Sequence, residues 1–203
     1  MNIFKWKPHI ASIATKLRRA NGALSKLRHF VPTKILSNVY HAIFALHFRY
    51  VSQIFGLCDN SVTHRILTLQ NFALRLLTFN GPRISATPLY SELKILKFFD
   101  QVKVMNIIYV HKYLNGNLPI DTLNTLNFEK IDHSFRTRGN TLSLLKLSNV
   151  KTTNYGLNSF SRLATIQWNC LQNRIRNLKL SEIKIAKLKK LSISFFLNKY
   201  TEQ

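Results

Sequence analysis

Apolar residues recur at helical spacing from Pro8 to Phe30, where Ile10, Ile13, Ala14, Leu17, Ala20, Leu24 and Leu27 share one stripe. Pro8 suits a first helical turn, because its missing N–H has no partner to lose there. Lys16, Arg19 and Lys26 fall on the opposite stripe with Ser12 and Thr15, while Arg18 sits on a flank and Arg28 fits the polar face less well. Val31-Pro32-Thr33 breaks this helix and starts a second, with Ile35, Leu36, Val39, Tyr40, Ile43 and Phe44 as its apolar face. The later part, His47 to Phe55, is rich in aromatics and ends at Gly56. A third helix opens near Asn60 or Ser61, aligns Val62, Ile66, Leu69, Ala73 and Leu76, and stops at Asn80-Gly81-Pro82. Leu67 and Leu74 lie on its other side, so it is predicted to be covered twice. Three helices with short connections make an antiparallel bundle over residues 1–82 the simplest solution.

Residues 83–123 read as a helical connector packed on that bundle. Pro88 to Leu93 predicts a short helix, and Phe98 to Leu114 a longer one that is apolar nearly all round and therefore belongs inside a core. Asn115-Gly116-Asn117 ends it, and a short apolar turn follows at Ile120 and Leu123. Residues 124–155 turn polar and lose helical periodicity, which predicts a linker or loop; it carries His133, Arg136 and Arg138. Residues 156–203 form a small, less regular, basic C-terminal segment. Its first part carries Phe160, Leu163, Ile166, Trp168 and Leu171, and a basic stretch follows from Lys179 to Lys190. Ile183 and Ile185, then Leu191, Ile193 and Phe195, alternate as a strand would, but Ser181 with Glu182 resembles a helix start and helix is the reading adopted. The fold class is thus mainly α.

Charge then narrows the partners. Among 203 residues, 30 Lys and Arg face 8 Asp and Glu, a formal charge of +22. That excess opposes compaction and calls for a polyanion. Nucleic acid is favoured over an anionic membrane, because the cations are spread along the chain and do not cluster beside an apolar anchor. The longest uncharged run, Ile35 to Phe48, is interrupted by Ser37, Asn38, His41 and His47 and is shorter than the ~20 residues of a membrane-spanning helix. Stable membrane insertion is not expected, nor is a signal peptide in Met1 to Pro8. An intracellular protein follows, with nuclear and cytoplasmic placement both open. Cys58 and Cys170 read as reduced, structurally minor thiols.

No motif here supports chemistry. Two-metal catalysis needs carboxylates that hold cations about 4 Å apart, whereas the sequence has no Asp-Asp pair and its four Glu residues are dispersed. The glycines are too far apart for a phosphate-cradling loop, and no His or Cys stands at zinc-ligand spacing. No catalytic residue, metal ligand or cofactor is therefore assigned.

Several stretches, in order, resemble a known family. Phe4-Lys5-Trp6-Lys7-Pro8-His9-Ile10, Lys16-Leu17-Arg18-Arg19-Ala20-Asn21-Gly22 and Lys26-Leu27-Arg28-His29-Phe30-Val31-Pro32 look like the segment after the palm in jockey-like non-LTR retrotransposon reverse transcriptases. Leu69-Gln70-Asn71-Phe72-Ala73-Leu74-Arg75 is similar to that family's "LQ-x-x-A-x-R" helix. Thr87-Pro88-Leu89 with Leu93, Ile95 and Leu96 resembles its next element. His133-Ser134-Phe135-Arg136-Thr137-Arg138, Asn154-Tyr155-Gly156, Ser159-Phe160 and Trp168-Asn169 resemble its C-terminal signature. Fingers, palm and the Asp-Asp box have no counterpart in this sequence. Phe55 stands where Trp is usual, Arg49 interrupts a neutral stretch, and Gln172 stands where Pro commonly follows Trp-Asn.

The resemblance implies the thumb and C-terminal part of an RNA-directed DNA polymerase, inactive alone. Its partners would be an RNA or DNA template-primer and the fingers and palm, where the parent enzyme uses Mg. Lys16, Arg18, Arg19, Lys26 and Arg28 would grip the template-primer duplex, and Arg136 and Arg138 are candidates for clamping a backbone. Trp6 and Trp168 are candidates for base stacking, although their apolar settings favour burial. Neutralising about six phosphates would weaken binding on the order of a thousandfold between 50 and 200 mM salt. Two other readings stay open: a helical interaction module that needs a palm domain or another protein to cover its apolar surface, and a basic membrane-surface protein.

Overall fold

A computed structural model describes residues 6–49, 60–125, 128–131, 144–152, 159–175 and 178–201. The described residues are mainly helical, as the periodicity predicts: α1 Trp6–Leu27, α2 Thr33–Val39, a π turn Tyr40–Ala45, α3 Leu46–Arg49, α4 Asn60–Leu77, α5 Thr87–Glu92, α6 Phe98–Leu114, α7 Ile120–Thr125, α8 Phe160–Arg174, a 3-10 turn Leu180–Glu182 and α9 Ile185–Thr201. They divide into two units, one drawn from residues 1–102 with 196–203 and the other from 103–195.

In the first unit, α1 buries Ile10, Ile13, Ala14, Leu17, Ala20 and Leu24, the stripe set by its sequence. The partner is α4. The Asn21 amide donates to the Leu69 carbonyl at 3.0 Å, and the Arg28 guanidinium lies 4.5 Å from the centre of the Phe79 ring. Later residues of α1 thus meet later residues of α4, so the two helices run in the same direction, and Thr33–Arg49 is the returning arm of an up-down-up bundle. That arm buries Leu36, Tyr40 and Phe44, each four residues from the last. On an α-helix a spacing of four drifts by about 40° per step. The wider π turn at Tyr40–Ala45 offsets that drift and lets Tyr40 and Phe44 stack with ring centres 5.1 Å apart. Ile35, which the sequence reading assigns to this face, is exposed, about 100° around the helix from buried Leu36.

α4 is covered on two sides, burying Thr63, Ile66, Gln70, Ala73, Leu74, Leu76 and Leu77. Gln70 joins three elements. Its Nε2 donates to Tyr40 Oη at 3.1 Å and to the Leu96 carbonyl at 2.8 Å, while its Oε1 accepts the Phe98 N–H at 2.8 Å. Every polar atom of this buried amide side chain is therefore bonded, and the start of α6 is fixed against the bundle. Neighbouring motif residues have similar duties: Tyr90 donates to Asn71 Oδ1 at 2.7 Å, and Arg75 Nε donates to the Ile84 carbonyl at 2.8 Å.

The last turn of α9 also belongs to this unit. Tyr200 donates to Asp100 Oδ2 at 2.6 Å and accepts the Lys97 N–H at 3.1 Å. The Lys97 ammonium lies 4.8 Å from the Tyr200 ring centre and 5.7 Å from that of Tyr90. Burial, reinforced by Tyr40 and Tyr200, pushes the Tyr90 phenol far above its ordinary pKa. Burial and the bond to Asp100 do the same for Tyr200.

The second unit packs around α8, where Ala164, Trp168, Leu171 and Gln172 are buried. Trp168 is fully enclosed, which removes it from the candidates for base stacking. Asn169 pairs with a backbone as a strand would, accepting the Leu145 N–H at 2.9 Å and donating to the Leu145 carbonyl at 2.8 Å. Leu145 also forms an isolated antiparallel bridge with Lys130, and Phe128 beside it is buried. Both residues come from the polar stretch read as a linker. Gln172 donates to the Leu178 carbonyl at 2.7 Å and accepts the Leu180 N–H at 2.9 Å, so it organises the turn after α8. His111 Nε2 donates to the Ile183 carbonyl at 2.8 Å, and Asn106 donates to Gln167 Oε1 at 2.9 Å. α9 itself is helical despite its alternating sequence, burying Leu188, Ser192, Phe196 and Tyr200 every fourth residue. Ser192 enters that stripe because its hydroxyl donates to the Leu188 carbonyl at 2.8 Å.

Candidate nucleic-acid interface

Burial of one stripe of α1 against α4 fixes the rotation of the helix, and with it the direction of the opposite stripe. Lys16, Arg19 and Lys26 lie on that outer stripe and are exposed; Arg18 is exposed on its flank. From Lys16 to Lys26 the helix rises about 15 Å, at ~1.5 Å per residue. One strand of duplex DNA presents phosphates about every 3.4 Å along its axis, so that length spans several phosphates, enough for one to each of the three cations.

Arg28 differs from the other four. At about 100° per residue it falls on the buried side of α1, where it is half-buried and its guanidinium covers one face of Phe79. Its Nε is buried and has no hydrogen-bond partner. This explains why Arg28 fits the polar stripe poorly in sequence. Arg136 and Arg138 lie outside the described residues, as does the side chain of Trp6.

The electrostatic setting is one-sided. From Met1 to Ser91 the only acid in the sequence is Asp59, so α1, α2 and α4 contain no carboxylate to neutralise their own cations. The ion pairs Lys146–Glu129 at 3.2 Å and Lys179–Glu182 at 3.1 Å occur elsewhere, on exposed side chains of the second unit. Among the described residues no three His, Cys, Asp or Glu side chains stand together as a metal-binding group, and no helix is long and apolar enough to cross a membrane.

Sequence reasoning missed two exposed aromatics at the same end of the bundle. Phe30, just past α1, is 83% exposed, and Phe79, just past α4, is 50% exposed. Phe79 has a φ of +57°, the left-handed conformation that usually takes Gly or Asn. The Asn80 N–H returns to the Arg75 carbonyl at 2.9 Å and so closes the helix end around it. The sequence places Asn80 and Gly81 at the stop, which hid the role of Phe79. None of the family models, curated proteins or solved structures compared with the chain matches it.

Proposed function

We propose that this chain is a nucleic-acid-holding helical module of polymerase type, and specifically the thumb and C-terminal part of a non-LTR retrotransposon reverse transcriptase. The observation that carries the binding role is the outer face of α1: Lys16, Arg18 and Arg19 with Lys26, all exposed, on a helix without an acid. The narrower assignment rests on the ordered motifs from Phe4 to Asn169. Residues of those motifs, among them Asn21, Gln70, Asn71 and Arg75, make the bonds that build the helical bundle, which supports reading the motifs as architectural.

In this role the chain contributes phosphate contacts and no bond-making step; chemistry would come from Mg held by carboxylates of a palm. Binding is blind to base sequence and falls steeply with salt, because each neutralised phosphate releases condensed counterions. Titration of the whole chain against a duplex at 50 to 200 mM salt tests this. Changing Lys16, Arg19 and Lys26 together to Ala lowers the magnitude of the log–log salt slope by about 2.7, at ~0.9 per lost phosphate contact. No affinity at the lowest salt, or a triple variant with the original slope, refutes the proposal. Magnesium-dependent primer extension by the purified chain would equally overturn it.

A further inference from the structure

The end of the bundle where α1 and α4 both finish gathers exposed aromatic rings and cations of one sign. Phe30 projects beyond α1 with most of its surface open, and Phe79 is half-exposed beyond α4. The guanidinium of Arg28 lies over one face of the Phe79 ring and joins the two helix ends. The bond from Arg75 to the Ile84 carbonyl folds the following loop back to the same end, bringing exposed Arg83. Lys34, also exposed, stands in the first turn of the next helix, four residues after Phe30.

Phe79 makes the arrangement more than incidental. A non-glycine residue in the left-handed region is strained, and Asn80 and Gly81, both better suited to that conformation, stand next in the chain. An aromatic nevertheless occupies the strained position and stays half in solvent. Strain of this kind persists where the surrounding structure imposes it, and it gathers at ligand-holding sites. Exposed rings edged by cations, in a stretch whose one acid is Asp59, complement a ligand with flat apolar faces and a polyanionic backbone. Unpaired bases have both, whereas the bases of a duplex are already stacked.

We infer that the Phe30–Phe79 end of the bundle is a stacking platform for unpaired bases, so that the chain prefers a duplex carrying a single-stranded overhang to a blunt one. This rests on the nucleic-acid reading above and adds the substrate class. The α1 stripe holds the duplex phosphates, and the aromatic end takes the first unpaired bases.

The test compares three labelled duplexes with the full chain at fixed low salt: blunt, overhanging, and overhanging with abasic sites that keep the phosphates but remove the bases. Wild type is expected to bind the overhang roughly 5- to 150-fold more tightly than the blunt duplex, the range for stacking one base on an aromatic ring, and to lose that preference with abasic sites. Phe30→Ala and Phe79→Asn bring overhang binding down to the blunt level and leave blunt binding unchanged, while Phe79→Trp retains the preference. Asn tolerates the left-handed conformation, so thermal unfolding of Phe79→Asn is expected at or above the wild-type temperature. Equal wild-type binding of all three duplexes overturns the platform and leaves the duplex reading standing. A preference that survives both ring deletions, or follows phosphates in the abasic duplex, also overturns it and leaves this end to a protein partner. Failure to bind any duplex overturns both readings together.

Discussion

Gln70 offers the sharpest test of how the first unit is held together. Gln70→Met keeps the length and approximate volume of the side chain, so little cavity is created, but it removes three hydrogen bonds at once. Afterwards the Phe98 N–H and the Leu96 carbonyl, both buried, have lost their Gln70 partner, and Tyr40 Oη loses one bond. A buried polar group left unsatisfied costs about 1–3 kcal/mol. Two such groups, with a smaller loss at Tyr40, give about 3–5 kcal/mol. Total stability of a domain is only about 5–15 kcal/mol, so the variant sits near the edge of folding. Urea denaturation followed by circular dichroism measures the loss, and hydrogen exchange at the Phe98 amide localises it: exchange there should quicken by two orders of magnitude or more, at ~1.4 kcal/mol per tenfold. A Gln70→Met chain within 1 kcal/mol of wild type, with Phe98 still protected, would refute the claim that this amide couples α4 to α6.

Other predictions test separate features. Asn169→Leu removes both bonds to the Leu145 backbone and should destabilise the second unit by about 2 kcal/mol, with selective loss of protection at the Leu145 amide; unchanged protection there contradicts the strand-like pairing. Lys94, like Phe79, has a positive φ, +53°, at a helix end. Lys94→Gly should therefore stabilise by about 1 kcal/mol, seen as a higher midpoint in thermal unfolding. The converse applies to Gly116, with φ +67° and open space where a Cβ would sit, where Ala should cost about 1 kcal/mol through the backbone alone. Tyr90 and Tyr200 are held above the unfolded tyrosine pKa of about 10. Their contribution is complete below that pH and is lost as pH rises from there towards the folded values. Denaturation midpoints should fall above pH ~10 in step with phenolate absorbance, and stability rising through that range would be inconsistent with buried, protonated phenols.

Much of the helical layout was legible because local periodicity is enough to define it. The bounds of α6, Phe98–Leu114, follow from a pattern that is apolar nearly all round and from the Asn115-Gly116-Asn117 stop, and the outer cations of α1 from its polar stripe. What escaped was non-local. Gln70, Asn169 and Gln172 look like surface residues by type, yet all three serve as bonding centres, with Gln70 and Gln172 fully buried, and their partners lie on other segments. Gln172 marks a departure from the motif pattern as well, and its bonds give that departure a structural use. The π turn could not be read either: spacing by four is ambiguous until the backbone shows whether the stripe drifts or is corrected. In α9 the core position filled by Ser192 broke the apolar period and left an apparent alternation. Of the candidate site, the exposed members and the inward phase of Arg28 follow from charge and face, whereas the ring that Arg28 packs on, Phe79, lies fifty-one residues away.

The clasp between Tyr200 and Asp100 also constrains how the molecule is made. The two residues are 100 positions apart, and at a synthesis rate of about 5–20 residues per second the acid waits roughly 5 to 20 seconds for its phenol. The first hundred residues therefore leave the ribosome with the Lys97 amide and the ring of Tyr90 still uncovered. Completion of the first unit waits until Tyr200 has been made and has left the ribosome, and ribosome-bound chains stalled before residue 200 should stay protease-sensitive around Asp100.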